Sequence, residues 1–120
     1  MPRTNTHSHA RRAINHGSYL CANGGAFISV GDHCRIAHGV LMKTTSHKVV
    51  EASDCIAGDE THQNIEVGDG SWLCAGVIVI PGVRIGKKNV IAAGACVTKS
   101  TEDGVLVAGV PAVIKKRYAI

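Results

Sequence analysis

The sequence predicts an all-β fold, a parallel β-helix of triangular cross-section assembled from six-residue faces. The first observation is a repeat. Read from Val67 in steps of six, the chain gives Val67, Leu73, Val79, Ile85, Ile91 and Val97, and the same step upstream gives Val30, Ile36 and Met42. Six is not a helical period, but it suits short strands joined by tight corners. The second is a companion set of small or aliphatic residues four positions on, at Val77, Val83 and Ala95. The third is composition: 14 glycines but three prolines in 120 residues, and 3% aromatic residues against 45% hydrophobic ones. Glycine supplies corner conformations, and the interior of such a coil takes Val, Ile, Leu, Ala and Cys rather than the four aromatics, Tyr19, Phe27, Trp72 and Tyr118. Helix-forming Leu, Glu, Gln and Met are scarce, which argues against a helical bundle.

The elements follow in order, within one domain spanning 1–120. Residues 1–12 are polar and expected to be frayed or extended. Ser18–Cys21 and Ala26–Ser29 read as strands of an imperfect first coil, separated by the turn signal Asn23-Gly24-Gly25. Val30–His47 forms one coil. The register then breaks, and Lys48–Glu66, carrying Glu51, Asp54, Asp59, Glu60, His62 and Asn64, reads as an excursion loop of the kind that tends to carry function, with Ile65 resuming the strand. Val67–Arg84 and Ile85–Glu102 form two further coils. Residues 103–120 form a capping segment: a turn at Asp103-Gly104, a strand at Val105–Ala108, a turn at Gly109-Val110-Pro111 and a basic tail, Ala112–Tyr118, expected as a short helix or tail over an open strand edge.

Charge and cysteine usage narrow the function classes. The net charge is +4, with basic residues dispersed apart from Arg11-Arg12, Lys87-Lys88 and Lys115-Lys116-Arg117. That suits a polyanionic small ligand, and no recognition helix or aromatic RNA-binding signature points to nucleic acid. Five cysteines, Cys21, Cys34, Cys55, Cys74 and Cys96, include no CxxC pair, so reduced thiols are expected rather than a disulfide framework. With no apolar stretch near Met1 and no run of 18 apolar residues, a cytoplasmic protein without a membrane span is expected.

Four segments then carry a family resemblance: Trp72-Leu73-Cys74-Ala75-Gly76-Val77, Ile80-Pro81-Gly82-Val83-Arg84-Ile85-Gly86, Val90-Ile91-Ala92-Ala93-Gly94-Ala95-Cys96-Val97-Thr98-Lys99 and Val107-Ala108-Gly109-Val110-Pro111-Ala112. In order and spacing they resemble the C-terminal half of the hexapeptide-repeat acyltransferases, the galactoside, maltose, xenobiotic and lipopolysaccharide O-acetyltransferases among them. Upstream, Val30-Gly31-Asp32 and Thr44-Thr45-Ser46-His47 resemble the same family. The resemblance implies a left-handed β-helix that trimerises, with acyl-coenzyme A in the groove between subunits and acetyl-coenzyme A as donor. It implies His47 as general base, since imidazole titrates near neutrality. Glu51, Asp54 and a neighbouring subunit's Asp32 all remain open as the acceptor that orients its ring. For the donor, the resemblance implies Trp72 walling the groove, Ala75 and Ala93 against the pantetheine arm, Thr98 and Lys99 near the phosphate end, and Lys115 or Lys116 answering the 3′-phosphate. Glu51, Asp54 and His62 are the candidates facing the acceptor, a sugar or antibiotic hydroxyl or an amine.

The departures are Lys48 after the histidine, where the family has an acidic residue or Pro, and Cys74 and Ala92 in place of glycines, Cys74 adding bulk that narrows the acyl channel. The chain also has no counterpart of the N-terminal helical segment that many sugar acetyltransferases use to hold the acceptor, so the donor side is the better supported. Two alternatives stand beside this expectation. His33 and His38 have the spacing of the metal pair in γ-class carbonic anhydrases, which share the fold, with His7, His9 or His16 as a third zinc ligand only by an unusual arrangement. The other alternative is a non-catalytic trimeric β-helix. The expected acetyltransferase holds no metal.

Overall fold

The computed structural model describes Ala13–Ile14 and residues 17–120; the expectations for residues 1–12 and for His7, His9 and His16 lie outside them. The described residues form strands and turns without a helix. Three parallel sheets make the three walls of a solenoid. One contains β1 (Ala13–Ile14), β4 (Arg35–Ile36), β9 (Trp72–Leu73), β12 (Val90–Ile91), β14 (Val105–Gly109) and β15 (Ala112–Arg117), in that order. The second stacks β2 (Tyr19–Cys21), β5 (Leu41–Lys43), β10 (Ile78–Val79) and β13 (Cys96–Val97), and the third stacks β3 (Ile28–Val30), β8 (Ile65–Val67) and β11 (Arg84–Ile85).

Register gives the coil length directly. Trp72 pairs with Val90, Ile78 with Cys96 and Glu66 with Arg84, each 18 residues on. The first coil is longer: Ala13 pairs with Arg35 and Tyr19 with Leu41, 22 residues on. The extra residues sit in the turn after Cys21, where the Ala26 amide donates to the Asn23 carbonyl (3.1 Å) and Gly24 and Gly25 take positive φ. Across the excursion the offset becomes 37, as in Leu41 with Ile78.

All nine residues of the six-step repeat are buried, and so are Val77, Val83 and Ala95, because residues two apart on a short strand point to the same side. One interior column is polar. Cys34, Ser71 and Asn89 occupy equivalent positions in successive coils, and each donates to a corner carbonyl of the next coil. Cys34 Sγ reaches Gly68 O at 3.2 Å, Ser71 Oγ reaches Gly86 O at 2.8 Å and Asn89 Nδ2 reaches Glu102 O at 2.9 Å. The corners stack so closely that a Cβ on Gly68 would stand 2.7 Å from the backbone of Gly86 and Lys87.

Two segments differ from the expectation. Residues Thr45–His47 do not belong to a coil. The chain leaves the solenoid after Thr44 and returns at Gln63, whose amide donates to the Thr44 carbonyl (3.0 Å). Between them, β6 (Thr45–Val49) and β7 (Ala57–His62) form an antiparallel hairpin, so the excursion is regular structure and Glu66 is already back on the third sheet. The C-terminal segment is a strand rather than a helix. β15 pairs antiparallel with β14 and closes the growing edge of the first sheet, which satisfies backbone groups that a parallel stack leaves open.

Candidate functional site

His47 lies on the excursion hairpin, opposite Glu60. Period-two alternation puts Thr45, His47, Glu60 and His62 on one face of it. The His47 Nδ1 is 2.8 Å from the Gly58 carbonyl oxygen. A carbonyl only accepts, so this contact places a proton on Nδ1, and in the neutral ring Nε2 then carries the lone pair. His62 is fixed beside it: its ring packs on Gly24, its Nδ1 is 3.1 Å from Thr45 Oγ1, and its Nε2 is 3.6 Å from Glu60 Oε2. Glu51 and Asp54 sit at the exposed hairpin tip, where Ser53 Oγ lies 2.6 Å from both the Val50 and the Cys55 carbonyl oxygens and its one proton is shared between them. The ring of His47 is therefore oriented by a backbone carbonyl, in place of the carboxylates Glu51 and Asp54. Asp32 sits on a solenoid corner, its amide donating to Asp69 Oδ1 (2.8 Å). In the sequence Glu60 is one of the polar residues of the excursion without a role of its own, and Gly58 carries no distinguishing signal. The available signal was the pair Val49-Val50 and Ile56-Ala57 flanking a polar turn, which marks a hairpin.

The donor candidates group on the solenoid. On the first sheet, one transverse row runs Arg35, Trp72, Val90, Leu106, Lys116. Trp72 is 49% exposed, and at about 4.8 Å per strand Lys116 stands roughly 14 Å from it along the row. A bulge between Leu106 and Val107 leaves Lys115 as the unpaired extra residue, so Lys116 and not Lys115 is in register with the tryptophan. The Lys116 Nζ also lies 5.5 Å from the centre of the Tyr118 ring, while Arg117 is held by Glu102 (2.6 Å), an ion pair that raises its pKa further. Ala75 and Ala93 stack on the corner between the first and second sheets, in one column with His38, linked by Gly76 N to His38 O (3.0 Å) and Gly94 N to Ala75 O (2.9 Å). Thr98 and Lys99 follow β13 at an exposed corner. Beside Ala75, burial raises the Cys74 thiol pKa, and burial does the same to Cys34, so neither is a ready thiolate nucleophile.

His47 and the Ala75/Ala93 column are not brought together in one chain. The column precedes the strands of the second sheet and the hairpin follows them, so a strand length of roughly 17 Å separates His38 from Lys43. His33 and His38 fall on successive corners on either side of β4, and among the described residues no three His, Cys, Asp or Glu side chains gather as a metal site requires.

No protein-family model matches the chain. Individual proteins do. A galactoside O-acetyltransferase of Lactococcus lactis is 40% identical over 91 residues, 75% of this chain and 43% of the relative. The solved hexapeptide-repeat acetyltransferase of Vibrio cholerae, complexed with acetyl-coenzyme A, superposes with a TM-score of 0.82 at 28% identity, covering 96% of this chain and 61% of that one. This chain resembles the hexapeptide-repeat acetyltransferases in sequence and in fold. A galactoside acetyltransferase in complex with coenzyme A gives a TM-score of 0.74 at 26% identity over 95% of this chain and 64% of that one. The chain spans less than half the length of the Lactococcus galactoside O-acetyltransferase. Among the described residues no helix is long and apolar enough to cross a membrane.

Proposed function

We propose that the protein is a cytoplasmic acetyltransferase that moves an acetyl group from acetyl-coenzyme A to a hydroxyl or amine of a small acceptor such as a sugar or antibiotic. The observation that carries this is His47: Nδ1 held at 2.8 Å by a backbone carbonyl, Nε2 left as a base, on an exposed hairpin beside the solenoid. His47 Nε2 takes the acceptor proton as the acceptor attacks the thioester carbon, the C–S bond breaks, and the proton passes to the leaving thiolate. Trp72 and Lys116, on one row of one sheet, suit a ligand with an apolar arm and a phosphate. Ala75 and Ala93 admit the thioester close to the backbone, whose amides are suited to the oxyanion. Thr98, Lys99 and Lys115 are assigned to the phosphate end on the family resemblance.

The coils are proposed to wind left-handed, as the likeness to the hexapeptide-repeat structures supports, and the active unit is proposed to be a homotrimer. Two features support self-association. The base and the donor column lie at opposite ends of the second sheet, so a neighbouring copy must complete the site. On that sheet Tyr19, Leu41 and Ile78 also stand exposed in one register row. The test is a titration with acetyl-coenzyme A followed by melting temperature. A donor at 100 times its dissociation constant adds about 2.7 kcal/mol, and the absence of any shift in the folded oligomer overturns the reading. His47→Ala is expected to retain the shift while losing roughly 10²–10⁴-fold in turnover.

A further inference from the structure

The first coil advances 22 residues where later coils advance 18, and the extra length is the Asn23-Gly24-Gly25 turn. This turn lies against the base of the excursion hairpin and touches both of its ends. On the departing side, the Asn23 amide donates to Thr44 Oγ1 at 2.9 Å, and the Thr44 amide donates to the Cys21 carbonyl at 3.1 Å. Thr44 is fully buried, so the chain leaves the solenoid from a fixed point. On the returning side, the His62 imidazole covers Gly24 so closely that a Cβ there would overlap Cγ, Cδ2 and Nε2 of the ring. His62 is tied in turn to the departing strand through Thr45 Oγ1, 3.1 Å from its Nδ1. Past this base the hairpin is open to solvent: Ser46, His47, Lys48 and Val49 on one strand and Asp59 and Glu60 on the other are exposed. Its direction is therefore set at the base rather than by packing along its length. His47 lies two residues beyond Thr45, roughly 7 Å along the strand. A tilt of about 10° at the base moves it by about 1 Å, and a misplacement of that size costs on the order of 10²-fold in rate.

We propose that His62, seated on the Asn23-Gly24-Gly25 turn, is a positioning residue. It fixes the angle at which the hairpin leaves the solenoid, and so the place of the His47 ring relative to the donor. The proposal rests on the acetyltransferase reading above. It assigns the extra length of the first coil to the same task, since that length carries Gly24 beneath the ring. His62 takes no proton and makes no bond in the reaction.

The experiment compares His62→Ala, His62→Phe, Gly24→Ala and the double variant Gly24→Ala/His62→Ala by two readouts. One is thiol release from acetyl-coenzyme A with methyl galactoside as acceptor. The other needs no acceptor: the His47 ring signal in the NMR spectrum, assigned by its absence from His47→Ala, is followed as coenzyme A is added. Where methyl galactoside is not acetylated, the second readout decides alone. His62→Ala is expected to lose roughly ten- to hundredfold in kcat. It is expected to keep the donor KM and the rise in melting temperature with coenzyme A, while its His47 signal no longer responds to the coenzyme. His62→Phe keeps a ring on Gly24 and is expected to recover much of the loss, which a proton-transfer role for His62 does not allow. Gly24→Ala is expected to lose activity in the native background and little more in His62→Ala, where the new methyl group enters space the ring has left. The strain of an alanine at φ +64° is common to both backgrounds and cancels in the comparison. Native kcat and a native His47 response in His62→Ala overturn the proposal, as does His62→Phe as impaired as His62→Ala, or additive losses in the double variant; each leaves acetyl transfer standing. Failure of the underlying reading looks different: coenzyme A neither raises the melting temperature nor moves the His47 signal of the native protein, and both fall.

Discussion

Replacing Asn89 tests whether the polar interior column holds successive coils together. Asn89 is 1% exposed and stands where its neighbours along the column are Ser71 and Cys34. Its Nδ2 donates to Lys87 O and Glu102 O, both at 2.9 Å, and its Oδ1 accepts from Thr101 Oγ1 at 2.6 Å. Asn89→Ala removes all three bonds and leaves two carbonyls and a hydroxyl facing an apolar gap. At about 1 kcal/mol net per bond the loss is about 3 kcal/mol, with more if the carbonyls stay dry. Asn89→Asp keeps the shape and the Thr101 bond but turns a carboxylate oxygen toward two carbonyl oxygens. The ionised form is disfavoured there, so the folded-state pKa of the new carboxyl rises above its unfolded value. The folded state then holds the proton more tightly, and this variant is expected to be most stable in acid and to lose stability as pH rises through the folded pKa. Urea unfolding at fixed protomer concentration, across pH 4 to 8, reads both effects. A loss below about 1 kcal/mol for Asn89→Ala, or a flat pH response for Asn89→Asp relative to the native protein, refutes the idea that this column ties coil to coil.

Three further outcomes are expected. Gly68→Ala forces a Cβ to 2.7 Å from the backbone of the next coil, and a shift of the stack on the order of 1–3 kcal/mol should appear as a lower urea midpoint. Lys116→Ala should weaken coenzyme A binding by about tenfold, and more than Lys115→Ala does; calorimetry with coenzyme A and with its form lacking the 3′-phosphate should show the effect confined to the former. Brief iodoacetamide treatment of the native protein should label Cys55, which is exposed at the hairpin tip, well before buried Cys21 and Cys34, and mass mapping of the adducts checks the order.

The solenoid was legible in the chain because its rule is local. Each inward aliphatic is buried by the strands one coil away, so burial recurs every six residues and is written into the sequence at that spacing. The corner residues were equally legible, and the segments from Trp72 to Ala112 announced the family resemblance. What sequence left open depended on contacts without a period. The hairpin has no periodic mark along its strands: both faces of β6 and β7 are largely solvated, and the apolar pairs Val49-Val50 and Ile56-Ala57 lie only at its tip end. The capping strand has a basic, half-apolar composition that fits a helix as well, and only the open edge of β14 decides in favour of pairing.

The candidate site divides along the same line. The residue types are read straight from the chain: a histidine after a coil, an aromatic on a strand, small residues at a corner and lysines at the end. Their partners are set by contacts between distant segments. These contacts give His47 a backbone carbonyl instead of a carboxylate, set Glu60 across from it, put Lys116 rather than Lys115 in register with Trp72 by one bulge, and place His47 and the Ala75/Ala93 column at opposite ends of a sheet. Hydrogen-bond partners and strand register are fixed by which chain segments meet, and those meetings span 11 residues for His47 with Gly58 and 37 for Arg35 with Trp72. No local periodicity encodes them.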